Sequence, residues 1–240
     1  MVGTGVESQQ ILLWVCYLVI SVAFAALAFR LRAVTGTGAA VGALICFLIC
    51  MGSGFAGLAA LLALFALAWL TTKIGYRRKE NLGTAEKIEG RNAHQVMANL
   101  GIAAIGSILH VAKSEPVFLL AIAASLSEAA ADTVSSEIGQ LSDGPPRLIT
   151  NWTKVPAGTD GGVTVMGTLS GLGAAVLVTA ICALGRMVSC NRIYIPVLAA
   201  LCGTIADSFL GAWLERRKLL NNDLVNFLST LVAATIALVS

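Results

Sequence analysis

Apolar residues in this chain come in long runs with few interruptions. Stretches near 10–29, 38–52, 54–72, 93–112, 116–131, 164–184, 193–212 and 223–239 are almost free of charge. A helix needs about 20 mainly apolar residues to cross a ~30 Å hydrocarbon layer. The pattern predicts about eight helices that cross or enter a bilayer. Gly52-Ser53-Gly54 interrupts the 38–72 region. That region reads as two crossings, or as one crossing with a re-entrant piece. The 116–131 run is short and ends in polar residues, which predicts a broken or half helix there.

Composition narrows the class. Hydrophobic residues make up 57% of the 240 positions, charged residues only 12%, and the mean hydropathy is +0.84. Soluble domains carry about 25% charge. The expected fold is an all-α polytopic transmembrane bundle, with 1–240 as a single integral membrane domain. The 24 glycines suit close helix packing in lipid and would allow a homodimer through Gly-rich faces. The six cysteines, most of them inside apolar runs, form no CxxC pair, so neither a thiolate metal site nor a disulfide framework is expected. The first apolar run is followed, not preceded, by arginines, and reads as a retained first helix.

Charge placement changes the picture further. Thirteen of the 16 basic residues fall in the odd-numbered loops of the eight-helix scheme, and only Lys113, Arg186 and Arg192 in the even ones. The positive-inside rule then puts the odd loops in the cytoplasm or its stromal equivalent, and both termini on the other side. The polar chemistry is expected on that cytoplasmic face.

The strongest constellation is Ser125-Leu126-Ser127-Glu128-Ala129-Ala130-Ala131-Asp132-Thr133-Val134-Ser135. On a helix, Ser125, Glu128, Asp132 and Ser135 share one face. A carboxylate at membrane depth costs at least ~2.5 kcal/mol, so it needs a cation, a basic partner or a wet cavity. A third acid, Glu137, follows, and Asp207 lies between Gly203 and Gly211 in a later apolar helix. Arg91, Gln95 and Asn99 recur every fourth residue and form a donor-rich wall suited to phosphate oxygens. Arg91 at a helix entrance is also explained by snorkelling to lipid phosphates. The stretch Lys154 to Thr164, with Asp160, Gly161 and Gly162, leads into the sixth predicted helix, where glycine N–H groups can approach a phosphate. Helix capping by Asp160 is the simpler alternative there. His94 and His110 have no neighbours at metal-ligand spacing, and Arg77-Arg78-Lys79 reads as a topology signal, so no nucleic-acid partner is expected.

Several of these motifs are familiar together. Lys79-Glu80-Asn81, Glu89-Gly90-Arg91-Asn92 through Asn99, Ala131-Asp132-Thr133 through Gly139, Gly158-Thr159-Asp160-Gly161-Gly162-Val163 and Gly203-Thr204-Ile205-Ala206-Asp207-Ser208 stand in this order over about 30–239. They resemble the integral membrane family that includes plant phytyl-phosphate kinase and animal transmembrane protein 19. A looser similarity reaches CTP-dependent polyprenol kinases and CDP-diacylglycerol synthases. In those enzymes the loop follows a Lys-Thr-x-Glu-Gly pattern, whereas here the glycines accompany Asp160.

The resemblance implies phosphorylation of an isoprenyl monophosphate, phytyl or geranylgeranyl, to its diphosphate. The donor would be a nucleoside triphosphate, CTP being favoured, with Mg²⁺ as cofactor and membrane lipid around the site. Asp132, Asp160, Asp207 and Glu128 are the expected metal ligands, the three aspartates being the catalytic set. Arg91, Gln95, Asn99, Lys154, Gly161 and Gly162 are the expected phosphate binders. Two other readings share these residues: a cytidylyltransferase making a CDP-lipid, and a transporter of a lipid phosphate or small anion.

Overall fold

A computed structural model describes residues 3–240, with side chains from Ser8 onward. Apart from one two-stranded ladder it is helical. In chain order the elements are α1 (Gly3–Arg30), α2 (Gly36–Lys73), the short α3 (Tyr76–Asn81), α4 (Ala93–Lys113) and α5 (Val117–Gly139). Then come β1 (Arg147–Leu148), β2 (Gly162–Val163), α6 (Val165–Leu184), α7 (Tyr194–Leu210) and α8 (Asn222–Leu238). Among the described residues, six helices are long and apolar enough to cross a membrane; α8, with 17 residues, is a shorter apolar one.

The 38 residues of α2 resolve the first ambiguity of the sequence. A straight helix of that length would span roughly 57 Å, nearly twice the hydrocarbon layer. Gly54 breaks it, with φ 63 and ψ −153. In the first arm, Gly38 packs on the carbonyl of Arg91 just ahead of α4, and Gly52 on Ser107 near the far end of α4. The second arm returns: the Thr72 hydroxyl donates to Glu137 Oε1 (2.9 Å) near the end of α5. Since α4 and α5 are antiparallel across the short connection 114–116, both ends of α2 lie at the same end of the bundle. The 38–72 region is therefore a helical hairpin turning at Gly54, with arms of roughly 27 Å. Counting both arms and α8 gives the eight helices expected from the apolar runs.

The second expectation needs correction. The helix expected to break near 131 continues unbroken to Gly139 as α5. Its polar residues do not mark an end, because they are enclosed: 16 of its 23 residues are buried, including Ser125, Ser127, Glu128 and Glu137. The helix packs against α2, α4, α6, α7 and α8 and is the axis of the bundle. Close approach is built into the sequence. Side chains at Gly167 and Gly171 of α6 would collide with Ser135 and Ala131 of α5. A side chain at Gly203 of α7 would strike Glu128 and the Ser229 carbonyl. Ser127 and Thr179 close the α5–α6 contact with a hydroxyl pair at 2.9 Å.

The basic loops converge at one end of the bundle. Lys79 of α3 is fully buried and donates to Glu137 Oε2 (2.5 Å) and to the carbonyls of Thr71 (2.6 Å) and Thr72 (3.3 Å). Its neighbour Arg78 donates to the carbonyls of Leu141 (3.1 Å) and Ser142 (2.7 Å). The loop between α2 and α4 is thereby fastened to the end of α5. Removing one partner of a buried pair strands the other charge, at a cost of about 3–5 kcal/mol. Lys79→Met should lower unfolding stability in detergent by that amount, and the double replacement Lys79→Met with Glu137→Leu should recover most of it. A single variant as stable as the parent would show that the pair does not hold this end together.

Candidate functional site

At the basic end a polar cavity of about 1090 Å³ opens between α4, α5, α6, α7 and the start of α8. Sites for small molecules occupy roughly 300–1,000 Å³, so there is room for a nucleotide and a phosphate head group together. Two walls carry acid. Asp132, on α5, and Asp207, on α7, line the same cavity, close enough for each to feel the other's charge. One carboxylate oxygen of Asp207, Oδ2, is shielded from solvent and has no hydrogen-bond partner. Glycines set this distance, because Gly203 lets α7 approach α5 one turn before Asp207.

Opposite them stands Arg91, close enough to Asp132 to act on its charge. The backbone around Arg91 is pinned. Its N–H donates to the Ala33 carbonyl (3.0 Å) and its carbonyl accepts from Thr35 N–H (2.9 Å), which ties the start of α4 to the α1–α2 turn. Asn92 caps α4 by accepting from His94 and Gln95 N–H groups, and Gln95 Oε1 accepts in return from Asn92 N–H (2.9 Å). Gln95 is thus half committed to a capping box. Its amide nitrogen faces Glu86 at 3.3–3.4 Å, and Asn99 donates to the Gln95 carbonyl (2.8 Å). Arg91 also faces Glu86, at 3.8 Å. Of the three residues read as a donor wall, only the Arg91 guanidinium retains most of its donors for a ligand.

The third wall is the loop between α5 and α6. Residues 147–148 and 162–163 pair as an antiparallel ladder, and the turn between Gly158 and Gly162 is folded onto the end of α7. Gly161 has φ +74, and a side chain there would meet the Ser208 carbonyl at 2.6 Å and Ala212. Residues 211–215 form a π-helical turn at this contact, a geometry frequent at functional sites. Asp160 reaches the cavity from this turn. Burial pushes its carboxyl above the usual aspartate range, and the Arg216 guanidinium offsets part of that. Asp160 does not cap α6; Thr164 does, accepting from Gly167 N–H (3.0 Å).

The structure therefore brings Arg91, Gln95, Asn99, Asp132, Asp160, Gly161, Gly162 and Asp207 to one cavity. Two expected members are not among its lining residues. Glu128 is 1% exposed and sits one turn deeper, against Gly203 and Ser229, with Oε1 lacking a partner. Lys154 is exposed on the outer part of the loop, bridged to Arg147 rather than to the cavity. Glu86, Glu215, Ser208 and the pair Thr84–Gln140 (2.5 Å) line or close the site and were not singled out from the sequence. Glu86 had a readable signal, an acid shortly before Arg91 and the helix that carries Gln95. Among the described residues no three Asp, Glu, His or Cys side chains converge as a metal set. The donor set nevertheless suits Mg²⁺. It needs oxygen ligands and commonly takes only one or two carboxylates, leaving the rest to phosphates and water. Asp132 and Asp207, with the unpartnered Asp207 oxygen, meet that requirement.

A polytopic bundle with an acid-lined cavity at its basic end is an integral membrane protein of definite type. The chain belongs to the family described as integral membrane protein DUF92, whose sequence pattern matches residues 19–234. Over 199 residues it is 34% identical to an uncharacterized membrane protein of Methanocaldococcus jannaschii, covering 79% of this chain and 78% of the relative. A Synechocystis membrane protein is 36% identical over 191 residues, 77% of this chain and 74% of its own. Protein VTE6, chloroplastic, of Arabidopsis thaliana is 32% identical over 197 residues, 77% of this chain and 58% of its own length. No solved structure matches the chain.

The Gly161 contact makes one prediction. An alanine in the left-handed region costs about 1–2 kcal/mol before any collision is counted. Gly161→Ala should release the Asp160 turn while leaving the bundle folded. Trypsin should then cut at Arg147 and Lys154 roughly tenfold faster, as peptide mapping would read. Unchanged cleavage would show that the turn does not depend on this glycine.

Proposed function

We propose that this chain is a prenyl-phosphate kinase. It transfers the terminal phosphoryl group of a nucleoside triphosphate, CTP being favoured, to an isoprenyl monophosphate of the phytyl or geranylgeranyl class. The observation that carries this reading is the Asp132–Asp207 pair facing Arg91 across a cavity at the basic end of a membrane bundle. The motif resemblance to the phytyl-phosphate kinase family supports the substrate class, and kinship with the chloroplastic Arabidopsis relative is in keeping with it. The active end would face the cytoplasm or stroma, with both termini on the opposite side, in keeping with the basic loops.

The chemistry asks little covalent work of the protein. An oxygen of the acceptor phosphate attacks the donor's terminal phosphorus, the bond to the bridging oxygen breaks, and a nucleoside diphosphate leaves. The acceptor phosphate is already anionic near neutral pH, with its second pKa near 6, so no side chain has to remove a proton. Catalysis then rests on positioning and charge neutralisation. Asp132 and Asp207 would hold Mg²⁺, which would supply positive charge against the donor phosphates. Arg91 faces the same space and can donate to the oxygens on which charge accumulates. The Gly161 turn and Asp160 close the loop side, and the rigid contact of α5 with α7 fixes the carboxylates before substrate arrives.

The test is turnover by the purified protein with geranylgeranyl or phytyl monophosphate, Mg²⁺ and each of the four nucleoside triphosphates, with the lipid product weighed by mass spectrometry. The expected product is the diphosphate. Asp132→Asn should reduce its formation at least ~10²-fold, on the scale of losing one preorganised electrostatic group, while the protein elutes and melts like the parent. A CDP-lipid with released pyrophosphate would assign the chain to the cytidylyltransferases instead. Absence of any product from folded protein, with flux of a lipid phosphate in vesicles, would assign it to transport.

A further inference from the structure

Beside the polar cavity lies a second space of about 500 Å³ with a different character. Its walls are Phe24 and Ala28 of α1, Leu64, Phe65 and Ala68 of the returning arm of α2, and Leu100 of α4. Phe24 and Phe65 meet edge to face at 5.0 Å and shape one side. The slot is apolar within and basic at its mouth. Arg32, Lys73, Arg77 and Lys87 surround the opening, and Glu86 is the sole acidic residue lining it. Trp69 lines it as well, and its indole N–H has no acceptor. Arg91, Gln95 and Asn99 line both spaces, so the slot and the acidic cavity share a wall.

A soluble ligand has no use for an apolar slot of this kind. A molecule with an apolar chain and an anionic head matches all of it. The chain loses contact with water along the aromatic and aliphatic walls. The anionic head meets a ring of cations, whose sign is opposite to that of the neighbouring carboxylates. Arg91 stands at the junction, where the head would pass from one space to the other.

We propose that this slot, between α1, the returning arm of α2 and α4, is the binding site for the isoprenoid chain of the acceptor, with its monophosphate directed past Arg91 toward Asp132 and Asp207. This rests on the acceptor class proposed above. A volume of about 500 Å³ suits an apolar chain of drug-sized bulk. The slot also gives α1, which packs mainly against α2, a place in the site through Phe24, Ala25 and Ala28.

Two readouts separate this claim from the kinase reading. In a background with Trp14, Trp152 and Trp213 replaced by Phe, emission from Trp69 reports the slot without turnover. Geranylgeranyl monophosphate should shift that emission, and inorganic phosphate should not. Ala28→Phe fills the slot. It should weaken geranylgeranyl monophosphate at least tenfold in both the Trp69 titration and KM, and alter the use of dimethylallyl monophosphate less than threefold, the scale set by apolar contacts. Leu64→Ala, which enlarges the slot, should shift preference toward the longer chain and serves if Ala28→Phe does not fold. Binding at Trp69 without diphosphate formation would uphold the slot and overturn the kinase reading. Diphosphate formation with Trp69 emission and chain-length preference unchanged in both variants would overturn the slot and uphold the kinase reading. Equal competition by phosphatidic acid in vesicles would overturn the assignment of an isoprenoid occupant.

Discussion

Carboxylates inside a membrane bundle are the constraint from which the rest of this structure follows. Glu128, Asp132 and Glu137 lie on one helix, and a lipid-facing position would cost each several kcal/mol. The fold meets this by enclosing α5 on all sides. Every other long helix except α1 packs against it. Glycines at 167, 171 and 203 bring those helices close enough that the acids meet protein rather than lipid. The helix that carries these acids is also the most enclosed of the long helices.

That enclosure is selective along the length of α5. Near its end, Glu137 is satisfied by Lys79 and Thr72, so the charge there is structural. Further inward, Asp132 has Arg91 and Asp207 as neighbours and the polar cavity before it. Deeper still, Glu128 is sealed beneath Gly203. The three acids thus occupy three environments along the helix: Glu137 is committed to its ion pair, Glu128 is sealed, and Asp132 faces the cavity. A pair of carboxylates with a missing hydrogen-bond partner, facing a guanidinium across a cavity, is unlike a packed core, and on the proposed function it would take a cation and phosphates.

Much of the fold was legible because a bilayer imposes a length on apolar runs, and glycine triplets such as Gly52-Ser53-Gly54 mark where a run is cut. What that triplet could not tell was whether the chain reversed. The answer depends on Gly38 meeting Arg91 and Thr72 meeting Glu137, contacts between residues far apart in sequence. The end of α5 was misjudged for a related reason: polarity usually marks a helix leaving lipid, but here the polar turns are wrapped by protein. At the site, Arg91, Asp132, Asp160 and Asp207 were visible as charged residues near apolar runs. Lys154 was too, yet the 147–163 ladder turns it outward. Spacing along one strand of sequence does not report how a loop folds back. Gln95 and Asn99 share the helix face that was read for them, but Gln95 accepts in the capping box and turns its amide nitrogen to Glu86, and Asn99 donates to a main-chain carbonyl.

The central claim is that Asp132 and Asp207 hold a divalent cation together with a nucleotide at this cavity. Mn²⁺ in place of Mg²⁺ makes this directly measurable by electron paramagnetic resonance on the purified protein, with and without CTP. The account predicts one bound Mn²⁺ whose affinity rises when CTP is present and falls roughly 10–100-fold in Asp207→Asn, with Glu137→Gln leaving it near the parent value. Mn²⁺ binding that ignores CTP and survives the loss of both Asp132 and Asp207 would contradict it.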